Sequence, residues 1–265
     1  MPGTRPIRHH GVLWAAVALV ATLAAVAVVF AVRPWAPATQ VASVASETEP
    51  EAVVVDAPPL VLPEHPRVLV FGDSWTYGSA AAPVTTGYAY LLAGLMDWDV
   101  TVDGVRGSGY LKPGIDGPSF GDRIAGLDPG LRPDLVIIQG SINDRLLYAE
   151  SDYAGAVNAA WDSLVAVYPD AQIVVLGPAP HELPEHEGTV AIDRELATLA
   201  AARNWWYISP LGERWITTRN FLDVIDTSGW ARNHPSTAGH AYLAQRLAGD
   251  LQRMMAPAAP VDAGR

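Results

Sequence analysis

The sequence predicts an α/β fold: a three-layer α/β/α sandwich around a five-stranded, mostly parallel central sheet. Five short β-rich apolar runs alternate with segments whose apolar residues recur at helical spacing, an order that builds βαβ units with a sheet buried on both faces. The 22 prolines and 23 glycines among 265 residues argue against an all-helical bundle and for short elements joined by turns. A chain of this length can hold one catalytic-sized domain of about 200 residues with appendages, enough to bury a sizeable core.

The elements follow in order. Arg67-Val-Leu-Val-Phe71 predicts the first strand, and helical spacing over 88–98 the first long helix. A weaker strand is read at 100–102, and a strong one at 134–139 (Asp134-Leu-Val-Ile-Ile-Gln139). A helix over 153–168, a strand over 172–176, a helix over 189–203 and a strand over 205–208 come next, with Trp205 and Trp206 read as core. The last helix, 235–254, starts from His234-Pro235, which puts proline at the first helical position and the imidazole at the helix mouth. Ligands of such sheets bind beyond the carboxyl ends of the strands. Chemistry is therefore expected where Phe71, Val102, Gln139 and Leu176 give way to loops.

The chain ends read differently from this body. Residues 11–32 are 22 uncharged, mostly apolar residues, about 33 Å as a helix, the thickness of a hydrocarbon core of about 30 Å. Arg5 and Arg8 precede that run and only Arg33 follows it closely, which favours a cytoplasmic amino terminus and an exported body. Residues 1–35 are thus expected to be a cytoplasmic stub with a transmembrane signal anchor, the chain being secreted if that segment is cleaved. Residues 36–66, rich in Pro, Ala and Glu, read as a disordered tether, 67–254 as the folded domain, and 255–265 as a flexible tail.

Composition narrows function by exclusion. Net charge is −11, and residues 1–34 carry three arginines and no acid, so the rest holds 14 basic and 28 acidic residues. Such a body repels nucleic acid. With no cysteine there is neither a disulfide framework nor a thiolate metal site. His181 and His186 stand in an acidic loop, but their spacing fits no recognised metal motif; no metal and no cofactor are expected.

Each of the first three strands runs into a glycine-containing turn: Gly72-Asp-Ser-Trp-Thr-Tyr-Gly78, Gly104-Val-Arg-Gly-Ser-Gly109 and Gly140-Ser-Ile-Asn-Asp144. Glycine there lets main-chain N–H groups approach a substrate oxygen. Over residues 67–254 the chain resembles the SGNH, or GDSL-type, serine hydrolases, whose motif blocks occur here in family order. The resemblance implies a flavodoxin-like sheet and places the nucleophile at Ser74, the base at His234, and an oxyanion hole at the backbone N–H groups of Ser74 and Gly107 and the amide of Asn143. Gly104 and Gly109 are near enough to Gly107 to leave that register open.

One position departs from the family pattern. The aspartate usually found three residues before the histidine is replaced by Ala231. Asp226 reaching in from an extended loop, Asp223, or a backbone carbonyl that leaves a Ser-His dyad can each orient the imidazole. His240, six residues into the last helix, reads as a packing or surface residue. Trp75, Tyr77, Tyr110, Tyr148 and Trp230 lie in or beside the motif loops, where each is either packing or a surface for a sugar or acyl group. The expected activity is that of a monomeric, membrane-anchored extracytoplasmic esterase acting on a glycan or lipid ester. An acyltransferase using the same residues and a binding module that has lost catalysis are the competing readings.

Overall fold

The computed structural model describes residues 57–255; the expected span over 11–32, the rest of 1–56 and the tail 256–265 lie outside the described residues. Among the described residues no helix is long and apolar enough to cross a membrane. Strands β1 (Arg67–Gly72), β2 (Asp99–Gly104), β3 (Leu135–Gln139), β4 (Gln172–Leu176) and β5 (Trp206–Ile208) form one sheet in the order β2-β1-β3-β4-β5. All four pairings are parallel.

Side chains alternate across this sheet as the pleat requires. Val68, Val70, Leu135, Ile137, Val174, Leu176 and Ile208 face one layer, and Leu69, Phe71, Val136, Ile138, Ile173 and Val175 the other. Burial on both sides is why β3 is apolar at four consecutive positions with no polar alternation. Because β1 continues to β2 on one side while β3 lies on the other, the chain reverses between β1 and β3, where the loops part and a crevice opens.

Seven helices accompany the sheet among the described residues: α1 (Ser74–Tyr77), α2 (Tyr88–Met96), α3 (Phe120–Ala125), α4 (Tyr153–Val167), α5 (Glu187–Ala202), α6 (Phe221–Val224) and α7 (Thr237–Met254). Tyr88, Ala89 and Leu92 of α2, with Leu243, Ala244, Leu247 and Leu251 of α7, cover the first face. Phe120 and Ile124 of α3, Val157, Trp161 and Leu164 of α4, and Ile192 and Leu196 of α5 cover the second. Both layers bury large apolar side chains, each contributing roughly 1.5–3 kcal/mol when fully removed from water. Trp205 and Trp206 are partly buried on opposite faces, Trp205 against Trp161 with ring centroids 5.1 Å apart.

Two sequence expectations shift. The last helix begins at Thr237, not Pro235: Ser236 is its N-cap, with Oγ accepting from the Gly239 N–H at 3.0 Å. His234 and Pro235 instead form β7 (His234–Pro235), antiparallel to β6 (Ile225–Asp226). Residues 57–66, expected to belong to a disordered tether, instead pack on the domain. Leu60 is buried and its N–H donates to the Met254 carbonyl at 2.8 Å, while Leu60 and Met255 form a parallel bridge that takes the domain one residue past 254. The Gln172 side chain holds Val61 through two bonds of 2.9 and 2.6 Å, and Trp206 Nε1 donates to the Pro58 carbonyl at 2.9 Å. Proline-rich extended backbone leaves its carbonyls free for such side-chain donors.

Candidate active site

Ser74 opens α1 immediately beyond β1. Asp73 turns the chain by capping that helix, its carboxylate accepting the Trp75 N–H at 2.8 Å. Gly78 closes the same turn at φ +89°, a left-handed conformation that costs glycine little. Four helical residues between two caps hold Ser74 in place, and it is only 5% exposed.

His234 reaches Ser74 from β7. Its Nε2 lies 2.8 Å from Ser74 Oγ, and its Nδ1 lies 2.6 Å from the carbonyl oxygen of Ala231. A carbonyl only accepts, so Nδ1 carries the proton and donates it to Ala231, leaving Nε2 bare to accept from the Ser74 hydroxyl. Arg232 and Asn233 adopt φ of 50° and 58°; these two left-handed residues fold the Ala231 carbonyl back onto the imidazole. Burial pushes the His234 pKa below its ordinary value, against the opposing pull of the Ala231 bond.

Asp226 is not brought to that imidazole. It is the register partner of His234 across β6 and β7, yet its Oδ1 accepts from the Ser228 N–H at 2.8 Å, and the bonds from Ser228 hold its carboxyl below the usual range. Its side chain caps the turn that follows it, so of the three candidates it is a backbone carbonyl, that of Ala231, that meets the imidazole. Asp223 meets this region through its backbone, its carbonyl accepting from Ser236 Oγ at 3.2 Å.

Asn143 lies in the turn that follows β3, and its Nδ2 donates to the Ser108 carbonyl at 2.9 Å. One amide hydrogen is thereby used and one is left for a ligand. Gly107, next to Ser108, has φ +77°. The backbone N–H groups of Ser74 and Gly107 donate to no protein acceptor among the described residues. Ser74, Asn143 and His234 line one cleft of about 430 Å³; Gly107 is not among its lining residues. An activated hydroxyl beside unspent N–H donors is an arrangement suited to acyl transfer from an ester.

A profile of the GDSL-like Lipase/Acylhydrolase family matches residues 70–242. The chain belongs to this family. This GDSL hydrolase is 29% identical to a GDSL lipase of Mycobacterium tuberculosis over 194 residues, covering 68% of this chain and 79% of that one. Its fold is similar to that of an M. smegmatis aryl esterase (TM-score 0.50, 22% identity, 72% of this chain and 100% of that chain). It is also similar to that of a family two carbohydrate esterase from Clostridium thermocellum solved with cellohexaose (TM-score 0.56, 19% identity, 73% of this chain and 66% of that chain). The GDSL hydrolase is thus an ester-hydrolysing serine hydrolase with the parallel sheet that its sequence predicts.

Several residues that support the site carry no obvious sequence signal. Asp144 is fully buried and accepts the N–H groups of Tyr110, Leu111 and Lys112 at 2.7, 3.2 and 3.1 Å, which fixes the loop after Gly107. A Cβ at Gly109 would collide with that carboxylate, so the loop needs glycine there. Burial raises the Asp144 carboxyl above its ordinary pKa despite these donors. Arg123, on α3, donates to the Gly72 carbonyl (2.8 Å), Ser108 Oγ (3.1 Å) and Asp103 Oδ1 (2.7 Å) while lying 4.0 Å from the centre of the Phe71 ring. One guanidinium therefore ties the ends of β1 and β2 to the Gly107 loop.

Asp73 is fully buried and its pKa is pushed up to about 7 by that burial. With the Gln139 amide turned to satisfy its surroundings, its nitrogen donates to Asp73 Oδ1 at 3.1 Å and to Thr76 Oγ1 at 2.9 Å. His186 caps α5 through Nδ1, and His181 lines the cleft. Of the aromatic side chains near the motifs, Trp75 and Tyr110 are core, whereas Trp230 is 68% exposed.

Proposed function

We propose that this GDSL hydrolase is a membrane-anchored, extracytoplasmic esterase that removes a short acyl group from a cell-envelope glycan or lipid through a Ser74-His234 dyad. The observation that carries the dyad is the 2.8 Å contact between Ser74 Oγ and His234 Nε2, with Nδ1 bonded to the Ala231 carbonyl. His234 takes the hydroxyl proton as Oγ attacks the ester carbonyl, then gives it to the departing alcohol. Water repeats the cycle on the acyl-enzyme and releases the acid. The Ser74 and Gly107 N–H groups and the second Asn143 hydrogen receive the negative oxygen.

Placement and substrate are inferred separately. The apolar run over 11–32 and the arginine distribution around it support an anchored, exported domain. The glycan alternative is motivated by the fold likeness to a carbohydrate esterase solved with cellohexaose. The test uses the full-length chain in cells, with short-chain aryl esters and acetylated glycans as substrates. Turnover, fluorophosphonate labelling and retention in the membrane fraction are expected, with Ser74→Ala lowering turnover by at least about 10³-fold and abolishing the label. Unlabelled wild-type protein without esterase activity would refute the chemistry; active protein in the cytosolic fraction would refute the placement.

A further inference from the structure

The cleft around Ser74 is basic in an acidic protein. The chain carries 28 acidic against 17 basic residues, yet the lining includes Arg145, Arg232, His181 and His234 and no aspartate or glutamate. Arg145 and Arg232 stand two residues from Asn143 and from His234 respectively, so both charges are built into the catalytic loops. Neither forms an ion pair with a carboxylate among the described residues. The Arg145 side chain is held by its own loop, one terminal nitrogen donating to the Ile142 carbonyl at 3.2 Å, while its Nε is enclosed and finds no acceptor. The protein therefore neutralises little of this guanidinium's charge.

The acids near the two arginines stand outside the lining of the cleft. Glu182 lies 3.7 Å from His181 and Asp226 is engaged by Ser228; neither lines the cleft. Burial first, and then the Arg145 charge, push His181 below its ordinary pKa against the smaller pull of Glu182, while the Arg232 charge lowers the His234 pKa against the larger opposing effect of the Arg232 backbone. Both guanidinium fields thus reach the imidazoles inside the cleft.

Resting on the esterase reading, we infer that the substrate is an anionic ester, whose acyl or alcohol part bears a carboxylate or phosphate that Arg145 and Arg232 hold beside Ser74. Arginine forks match both anions in bidentate geometry, and such charge-assisted pairs are stronger than neutral hydrogen bonds. Acid-free walls also avoid repelling the ligand.

Matched esters read this directly. The wild-type enzyme is assayed on p-nitrophenyl butyrate and mono-p-nitrophenyl succinate for an anion on the acyl side. 4-Acetoxybenzoate, its methyl ester and 4-acetoxyphenyl phosphate test the alcohol side and separate carboxylate from phosphate. The anionic member of at least one pair is expected to have a kcat/KM about 10-fold or more above its neutral partner, chiefly through KM. That ratio should fall about 10-fold in Arg145→Gln or Arg232→Gln and by less in the two lysine variants, which keep the charge but lose the bidentate fork. A ratio near or below one in every pair, or one unchanged by the glutamine variants, overturns the inference while leaving the esterase intact. If no ester is hydrolysed, the esterase reading fails, and the cleft is judged by calorimetry on Ser74→Ala. Succinate binding that weakens in Arg145→Gln supports the anion site, and absence of binding overturns it.

Discussion

A backbone carbonyl orients an imidazole with only a partial charge, so it fixes the tautomer of His234 without the full stabilisation that a carboxylate gives the imidazolium. The residue at position 231 can be alanine because its main chain, not its side chain, meets Nδ1 at 2.6 Å. Asp226→Asn is therefore expected to change kcat/KM by no more than about twofold, whereas loss of an orienting aspartate in a true triad costs about 10⁴-fold. Asn143→Ala is expected to lower kcat by about 10²- to 10³-fold, the usual cost of one oxyanion donor. Steady-state kinetics on a neutral aryl ester checks both.

The sign of the pH dependence follows from the same imidazole. Only neutral His234 accepts the serine proton, and burial depresses its pKa, so the neutral form persists to lower pH. The acidic limb of the kcat/KM profile should inflect below about 6.5, the ordinary histidine value. An inflection above that value would contradict the buried environment. Ser74, Asn143 and His234, which the structure places in one cleft, stand out in the sequence because each is a chemically distinctive side chain in a short motif. The Ala231 carbonyl was not, since every residue has one and only the left-handed turn at Arg232 and Asn233 aims it.

Among elements, α7 shows how a helix can brace a site it does not enter. His240 is fully buried there, with Nδ1 accepting the Tyr88 N–H at 3.2 Å and Nε2 donating to the Ser79 carbonyl at 3.0 Å. It thereby pins the segment joining α1, which carries Ser74, to α2. Burial lowers its pKa to about 4, below an unfolded value of about 6.5. Stability from neutral His240 is thus complete above the unfolded pKa and declines as pH falls from there towards 4. His240→Gln should destabilise the domain by about 1–3 kcal/mol at pH 7, and the gap should narrow at pH 5, as denaturant unfolding at both values would show.

Strands β1, β3 and β4 were legible because a sheet covered on both faces demands unbroken apolar runs, whereas the edge strand β2 alternates apolar and polar residues and reads weakly; the long helices were legible because their burial repeats at helical spacing. The elements α1, α6, β6 and β7, of two to four residues each, are too short to display a period. Pro235 resembled a helix start because proline fits that position, but the extended pairing of β7 with β6 took precedence. Helix α3, of six residues, is nearly as short, and Arg123 went unread with it.

At the scale of the molecule, the bridge between Leu60 and Met255 has a topological meaning. Pro58 and Val61 rest on Trp206 and Gln172 at the starts of β5 and β4, while Ser74 and Asn143 lie beyond the finishing ends of β1 and β3. The domain's two ends therefore meet at the pole opposite the cleft, and neither closes on the other through the catalytic loops. A circularly permuted chain, in which a short linker joins Met255 to Ala57 and new termini are opened at the exposed Gly130, should fold and keep its Ser74 labelling. Such a result would make the order of the chain dispensable to this architecture, and leave the meeting of β1, β3 and β7 at one rim as what the site requires.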